Sequence, residues 1–218
     1  MINNIGIISG GGSLPIAIGE SLIKKKYSVI FFVIEEFHNN KIYHNYNSKP
    51  IKLNSAKNII KILRSNNINN ILMAGNITRP SLTDLSFDFQ TFKLAKKLLL
   101  NKTGDNDLLI SIRKFFEENG FNYFDWKNHC QDLFADKKNL TSIKPTSMAL
   151  KNLKKGLSVF KTYGNLDVGQ SLIVQNQIIL GLEAAEGTDN LILRCKNLKK
   201  SGDKGILIKL SKYNQSNI

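Results

Sequence analysis

Four carboxylates fall close together late in a chain that is short of them. "DVGQ" (Asp167 to Gln170) and "EAAEGTD" (Glu183 to Asp189) put Asp167, Glu183, Glu186 and Asp189 around one hairpin and the short helix after it. The whole sequence has only 17 acidic residues, so four around one turn is a concentration. The hairpin can bring Asp167, Gln170, Glu183, Glu186 and Asp189 near one another. Carboxylates with amide oxygens are what a hard divalent cation takes. Such a cation polarises a diphosphate and lowers the pKa of an attacking water. Lys209, on the strand that follows, can neutralise a phosphoryl oxygen. The bland alternative is a set of charges solvated at a hairpin end.

Three earlier stretches have chemistry of their own. In "IGIISGGGSLPIAI" an apolar run enters Gly10, Gly11 and Gly12, then opens an apolar pattern of helical period. Bare N–H groups at a helix start favour an anion. The spacing is not GxGxxG, however, since Leu14 and Pro15 follow, and there is no Walker lysine. A tight strand-to-helix turn explains it equally well. "AGNITRPSL" follows a strand end, where open α/β sheets build their ligand crevice. Its Arg79 is one of four arginines, against 27 lysines among the 31 basic residues. A planar, bidentate fork for phosphate or carboxylate is a reason to keep arginine; a surface arginine before the turn-forming Pro80 is the other reading. In "KTGDNDLL", Thr103 and Gly104 lead to Asp105 and Asp107 at a helix start. There, N-capping and acidic residues in the first turn are the plainer reading, and a magnesium or substrate-hydroxyl site is the other.

Composition narrows the classes. The net charge of +14 invites a nucleic-acid reading. The lysines occur in runs such as "KNLKKG" without the interleaved aromatics of a base-stacking surface, so no nucleic-acid partner is expected. Two cysteines far apart, Cys130 and Cys195, argue against a zinc site or a disulfide framework. His38 and His44 share a polar loop. A metal, if used, is therefore held by carboxylates and is magnesium, or else manganese. The N-terminus lacks a basic n-region, and no apolar run reaches the roughly 20 residues needed to span a bilayer, so the cytoplasm is the expected location.

The elements that must position these residues alternate. "NNIGIISG" reads as a buried strand and "SLPIAIGESLIKKK" as a helix with Ser13 at its N-cap. "YSVIFFVI" is a second strand, "NSAKNIIKILRSNN" a helix starting at Asn54 or Ser55, and "INNILMAG" a third strand. From about Leu85 the pattern is helical, in "FQTFKLAKKLLLNK" and in "DNDLLISIRKFFEENG" with its stop at Gly120; "FNYFDW" offers one more strand. After a polar stretch comes the helix "SMALKNLKKGLSVFKTYG". A hairpin turning near Gln175-Asn176-Gln177, a short helix carrying Asp189 and the strand "KGILIKL" complete the pattern. The fold class is α/β: a Rossmann-like parallel sheet in residues 1–134, a linker over 135–144, and a smaller α/β domain with a hairpin over 145–218 that holds the catalytic residues.

"GGGSLP", "AGNITRP", "TGDNDLL", "DVGQSLIVQ", "EAAEGTDNLI" and "GILIKLSKYNQ" occur in the order and spacing of one family. The chain resembles, over essentially its whole length, the UDP-2,3-diacylglucosamine pyrophosphatases of the LpxI type. The resemblance implies a two-domain enzyme of lipid A biosynthesis in a Gram-negative bacterium. It implies hydrolysis of UDP-2,3-diacylglucosamine to 2,3-diacylglucosamine 1-phosphate (lipid X) and UMP, with magnesium, by water attack on phosphorus. The ligand would lie in a cleft between the domains, with peripheral contact to the inner membrane. It assigns Asp167, Gln170, Glu186, Asp189 and Lys209 to catalysis. Substrate binding goes to Gly10, Gly11, Gly12, Leu14, Pro15, Arg79, Pro80, Thr103, Gly104, Asp105, Gly187, Thr188, Lys212 and Gln215. Metal binding goes to Asp107, Glu186 and Asp189. The family's last lysine-bearing strand runs on into Pro-Gly-Gln-Asp and an acidic Asp-Leu-Pro segment. Here Tyr213, Asn214 and Ser216 replace the proline, glycine and aspartate, and the sequence stops at Ile218. An incomplete second domain is therefore expected, and the alternative function is an inactive nucleotide- or lipid-binding member.

Overall fold

The computed structural model of the protein describes residues 4–38, 41–53, 55–76, 105–163 and 168–211. The chain divides into two compact units, residues 1–136 and 137–218.

The first unit is a five-stranded parallel sheet. Its strands are β1 (Asn4–Ser9), β2 (Ser28–Ile34), β3 (Ser48–Ile51), β4 (Asn70–Ala74) and β5 (Asn122–Tyr123). Their order is β3-β2-β1-β4-β5, so the winding direction reverses between β1 and β4. The helices are α1 (Leu14–Lys24), α2 (Glu35–His38), α3 (Ala56–Ser65), α4 (Asp105–Glu118) and α5 (Trp126–His129). A parallel sheet needs cover on both faces, and alternate β1 residues serve opposite ones. Ile5 and Ile7 pack with Ile18 and Leu22 of α1, whereas Ile8 packs with Ile59 and Leu63 of α3 and with Phe115 and Phe116 of α4. This is the Rossmann-like layer expected.

Two local expectations are corrected here. The strand "INNILMAG" is β4 and not the third, because "SKPI" pairs with β2 in register Phe31↔Ser48 to Ile34↔Ile51. Pro50 has no N–H to donate, and only an edge strand tolerates that. Ser13 does stand at the start of α1, but in helical conformation, and its hydroxyl makes no capping bond. At α3 the capping residue is Ser55, whose Oγ accepts from the Asn58 N–H at 3.3 Å. Residues 89–102, expected to be helical, lie outside the described residues.

The second unit is an antiparallel three-stranded sheet with two helices. α6 (Ser147–Tyr163) leads to β6 (Ser171–Gln175) and β7 (Ile178–Leu182), then α7 (Gly187–Lys196) and β8 (Ile206–Lys209). The order is β7-β6-β8, with Ser171 opposite Lys209 and Leu172 opposite Leu182. Asn176 and Gln177 both have left-handed backbone, at φ 50° and 61°. Two consecutive positive φ values give the tight hairpin whose twist matches the strands. Phe160 of α6 closes over Leu172, Val174 and Ile208. Among the described residues no helix is long and apolar enough to cross a membrane.

Candidate functional site

At the β1 and β4 ends the glycine turn spends most of its donors on itself. The Gly10 N–H donates to the Ala74 carbonyl at 2.9 Å, and Gly11 and Asn76 exchange hydrogen bonds at 2.8 and 2.9 Å. These bonds tie the two chain ends together where the sheet reverses. A Cβ on Gly10 would stand 2.2 Å from the Asn76 carbonyl oxygen, so glycine is required there by close approach. Gly12 differs: its φ is +91° and a Cβ would meet nothing within 4 Å. An anion cradle built from the Gly10 and Gly11 amides is thereby corrected, because both protons are taken. The N–H groups of Gly12, Ser13 and Leu14 find no acceptor among the described residues. Leu14 is exposed beside them and Pro15 is buried.

The second unit gathers charge where Ser171 begins β6 and Lys209 ends β8. Glu183, the first residue beyond β7, is buried, with 7% of its surface exposed. Its N–H reaches the Ser171 carbonyl at 2.8 Å, and its own carbonyl accepts from the Tyr163 hydroxyl at 3.1 Å. Its carboxylate accepts from the Gln170 N–H at 3.3 Å and from the Thr188 hydroxyl at 3.1 Å. Gly169 has no side chain because a Cβ there would lie 2.1 Å from the Glu183 carbonyl oxygen. That contact explains the glycine of "DVGQ". Lys209 then donates to the Thr188 hydroxyl at 2.8 Å, and Ser171 Oγ lies 3.2 Å from the same oxygen. Burial pushes the Glu183 carboxyl up. Hydrogen bonds from Ser171, Thr188 and the Gln170 amide, with the charge of Lys209, outweigh burial and hold it below its ordinary range.

Glu186 faces another way. Its Oε1 is paired with Arg194 at 2.8 Å, and its Oε2 accepts from the Ala184 N–H at 3.0 Å. Arg194 first, then local amides, holds this carboxyl below the usual carboxylate range despite some desolvation. Arg194 also donates to the Leu182 carbonyl at 3.1 Å, anchoring α7 to the end of β7. Asp189 lies in the first turn of α7, exposed, with no partner among the described residues. Gly187, with φ +77°, opens that helix.

The structure thus brings Gln170, Glu183, Thr188 and Lys209 together and turns Glu186 toward Arg194. Arg79, Pro80, Thr103, Gly104, Asp167, Lys212 and Gln215 lie outside the described residues, as do the side chains of Asp105 and Asp107 on α4. Among the described residues no three His, Cys, Asp or Glu side chains are grouped to hold a metal. Glu186 and Asp189 are oxygen donors of the kind magnesium takes. Glu186 already accepts from Arg194, from the Ala184 N–H and from its own amide, so a metal there would share its oxygens with these partners. Arg194, beside Glu186, and Ser171, beside Thr188, are neighbours of this cluster that sequence reasoning missed. Glu183 belongs to the acid cluster read from the sequence, and the family resemblance gives it no catalytic role. A charged residue closing the apolar strand "IILGL" was the available signal.

Fold and site define a two-unit α/β protein, a Rossmann-like layer followed by a small antiparallel sheet with one charged end. Residues 4–133 match the LpxI N-terminal domain and residues 136–217 the LpxI C-terminal domain. The chain belongs to the LpxI family. It is similar to the UDP-2,3-diacylglucosamine pyrophosphatase LpxI of Caulobacter vibrioides, with 25% identity over 201 residues, 92% of this chain and 71% of that protein.

Proposed function

We propose that the protein hydrolyses the diphosphate of UDP-2,3-diacylglucosamine, releasing 2,3-diacylglucosamine 1-phosphate (lipid X) and UMP, in the cytoplasm with peripheral contact to the inner membrane. The observation that carries this reading is the family match through both units, joined to the relative's activity. The charged end of the second unit supports it chemically. Lys209 is held by one hydrogen bond and has two further protons for a diphosphate oxygen, whose charge grows as the phosphorus–oxygen bond breaks. The free amides of Gly12, Ser13 and Leu14 hold phosphate and do no chemistry. Magnesium, or manganese in its place, would supply charge neutralisation on the diphosphate and a more acidic attacking water. Glu186 and Asp189 are the ligands proposed in the second unit, and Asp107→Asn tests the same role in the first.

The test is UMP release from UDP-2,3-diacylglucosamine by purified protein, with and without magnesium. Turnover that requires the metal is expected. No UMP from folded protein, shown to be folded by cooperative melting, would overturn the reading.

A further inference from the structure

The Thr188 hydroxyl spends its proton within the protein. A hydroxyl has one proton and two lone pairs. An ionised carboxylate only accepts and an ammonium only donates, so the Lys209 proton comes to Thr188, and the Thr188 proton goes to Glu183 directly or by way of Ser171 Oγ. The distances agree, 3.1 Å to Glu183 Oε1 and 2.8 Å from Lys209 Nζ. Ser171 Oγ lies 3.2 Å away, within hydrogen-bond reach of the same oxygen. Thr188 therefore has no proton left for a substrate. The hydroxyl has protein on both sides, Glu183 on one and Lys209 on the other.

Glu183 is the origin of that commitment. It is buried, fixed by the Gln170 amide and tied through its backbone to Ser171 and Tyr163. Lys209 ends β8 exposed, on a stem with four rotatable bonds, and costs entropy to hold in one place. We propose that Glu183 is a positioning residue for Lys209, acting through Thr188, so that the ammonium is already in place when a diphosphate arrives. An electrostatic group that need not reorganise during the reaction contributes most to it. The inference rests on the reading of Lys209 as a phosphate-binding group, and the test keeps the two separable.

The experiment is competitive amine labelling with limiting acetic anhydride, read by peptide mass and normalised to all other lysines. An amine held in a hydrogen bond is less available to the reagent than one rotating in water. Glu183→Gln and Thr188→Val are expected to raise the relative labelling of Lys209 about three- to tenfold, the weight of one charge-assisted hydrogen bond. Thr188→Ser keeps the hydroxyl and is expected to stay near wild type. Unchanged Lys209 labelling in Glu183→Gln and Thr188→Val would overturn the relay, as would a rise shared by all lysines, which reports a loosened fold. Thr188→Val decides the matter if Glu183→Gln does not fold. In protein that releases UMP, the two variants lower kcat more than they raise KM, and Thr188→Ser restores kcat. If wild-type protein releases no UMP while Lys209 labelling responds as described, the relay stands and the proposed hydrolysis falls.

Discussion

The small sheet of the second unit ends in polar networks on both sides, and the two are built to opposite purposes. At the turn end, the fully buried Asn152 amide donates to Asp203 Oδ2 at 2.6 Å, and its oxygen accepts from the Gln177 N–H at 2.7 Å. Gln175 binds the Lys200 and Asp203 carbonyls and the Lys200 N–H, while Asp203 also takes the Gly205 and Asn176 amides. The Asn152 and Gln175 side-chain amides and both Asp203 carboxylate oxygens meet protein there, so the network locks α6, the hairpin and the loop before β8. At the other end the chain of bonds runs Glu183, Thr188, Lys209 and then stops with two ammonium protons unspent. A closed network specifies structure; an open one has capacity left for a ligand.

Substitutions at each end should separate these roles. The largest effect is expected from Lys209→Met, which should lower UMP release about 100-fold while thermal melting barely moves. Loss of melting temperature with turnover intact would make the open end structural. Next, Asn152→Leu should leave the Gln177 amide without its partner and Asp203 with only the Gly205 and Asn176 amides, and cost about 2 kcal/mol, or roughly 10 °C for a unit of this size. Hydrogen exchange of the β6 amides reads that unit alone, and turnover of the folded fraction should be kept.

Acid should act on both ends alike, and this narrows the contrast to the ligand. Glu183 and Asp203 both sit below their ordinary values; at Asp203 burial opposes, and the Asn152 amide with the Gly205 and Asn176 N–H groups prevails. The unfolded chain therefore binds protons first as pH falls. Stability is complete above about pH 5 and is lost progressively below it, toward the lower folded values. Glu183→Gln and Asp203→Asn should each flatten part of that acid slope in melting between pH 3 and 7. If only one did, the two carboxylates would not be held alike. The smallest effect is expected at Gln177, whose left-handed φ of 61° strains a side chain that is exposed: Gln177→Gly should stabilise by about 0.5 kcal/mol and leave turnover unchanged.

Much of this fold was readable because it repeats one physical statement. Apolar runs such as "VIFFVI" and "NILMA" mark strands buried on two faces, and the periods between them mark helices. β3 escaped because four residues containing Lys49 and Pro50 do not look like a strand until a partner edge exists. The charged end was readable as a set of residue types and not as an arrangement. Ser171 and Lys209 are 38 positions apart and become neighbours only through the register of β6 and β8. Whether a glycine amide is free likewise depends on a carbonyl 64 or 65 residues away, at Ala74 and Asn76. Composition suggested a phosphate cradle; only pairing showed which protons were already taken.

The bonds between Gly11 and Asn76 have a mechanical consequence. The turn that opens α1 and the segment leaving β4 are stapled, so neither can open without the other. Their two amides, though both lie in loops, should exchange with deuterated solvent at one common rate, slower than the neighbouring Gly12 amide. A pull on the chain beyond Asn76, where Arg79 follows three residues later, is transmitted to the first turn of α1 as if the two were one lever.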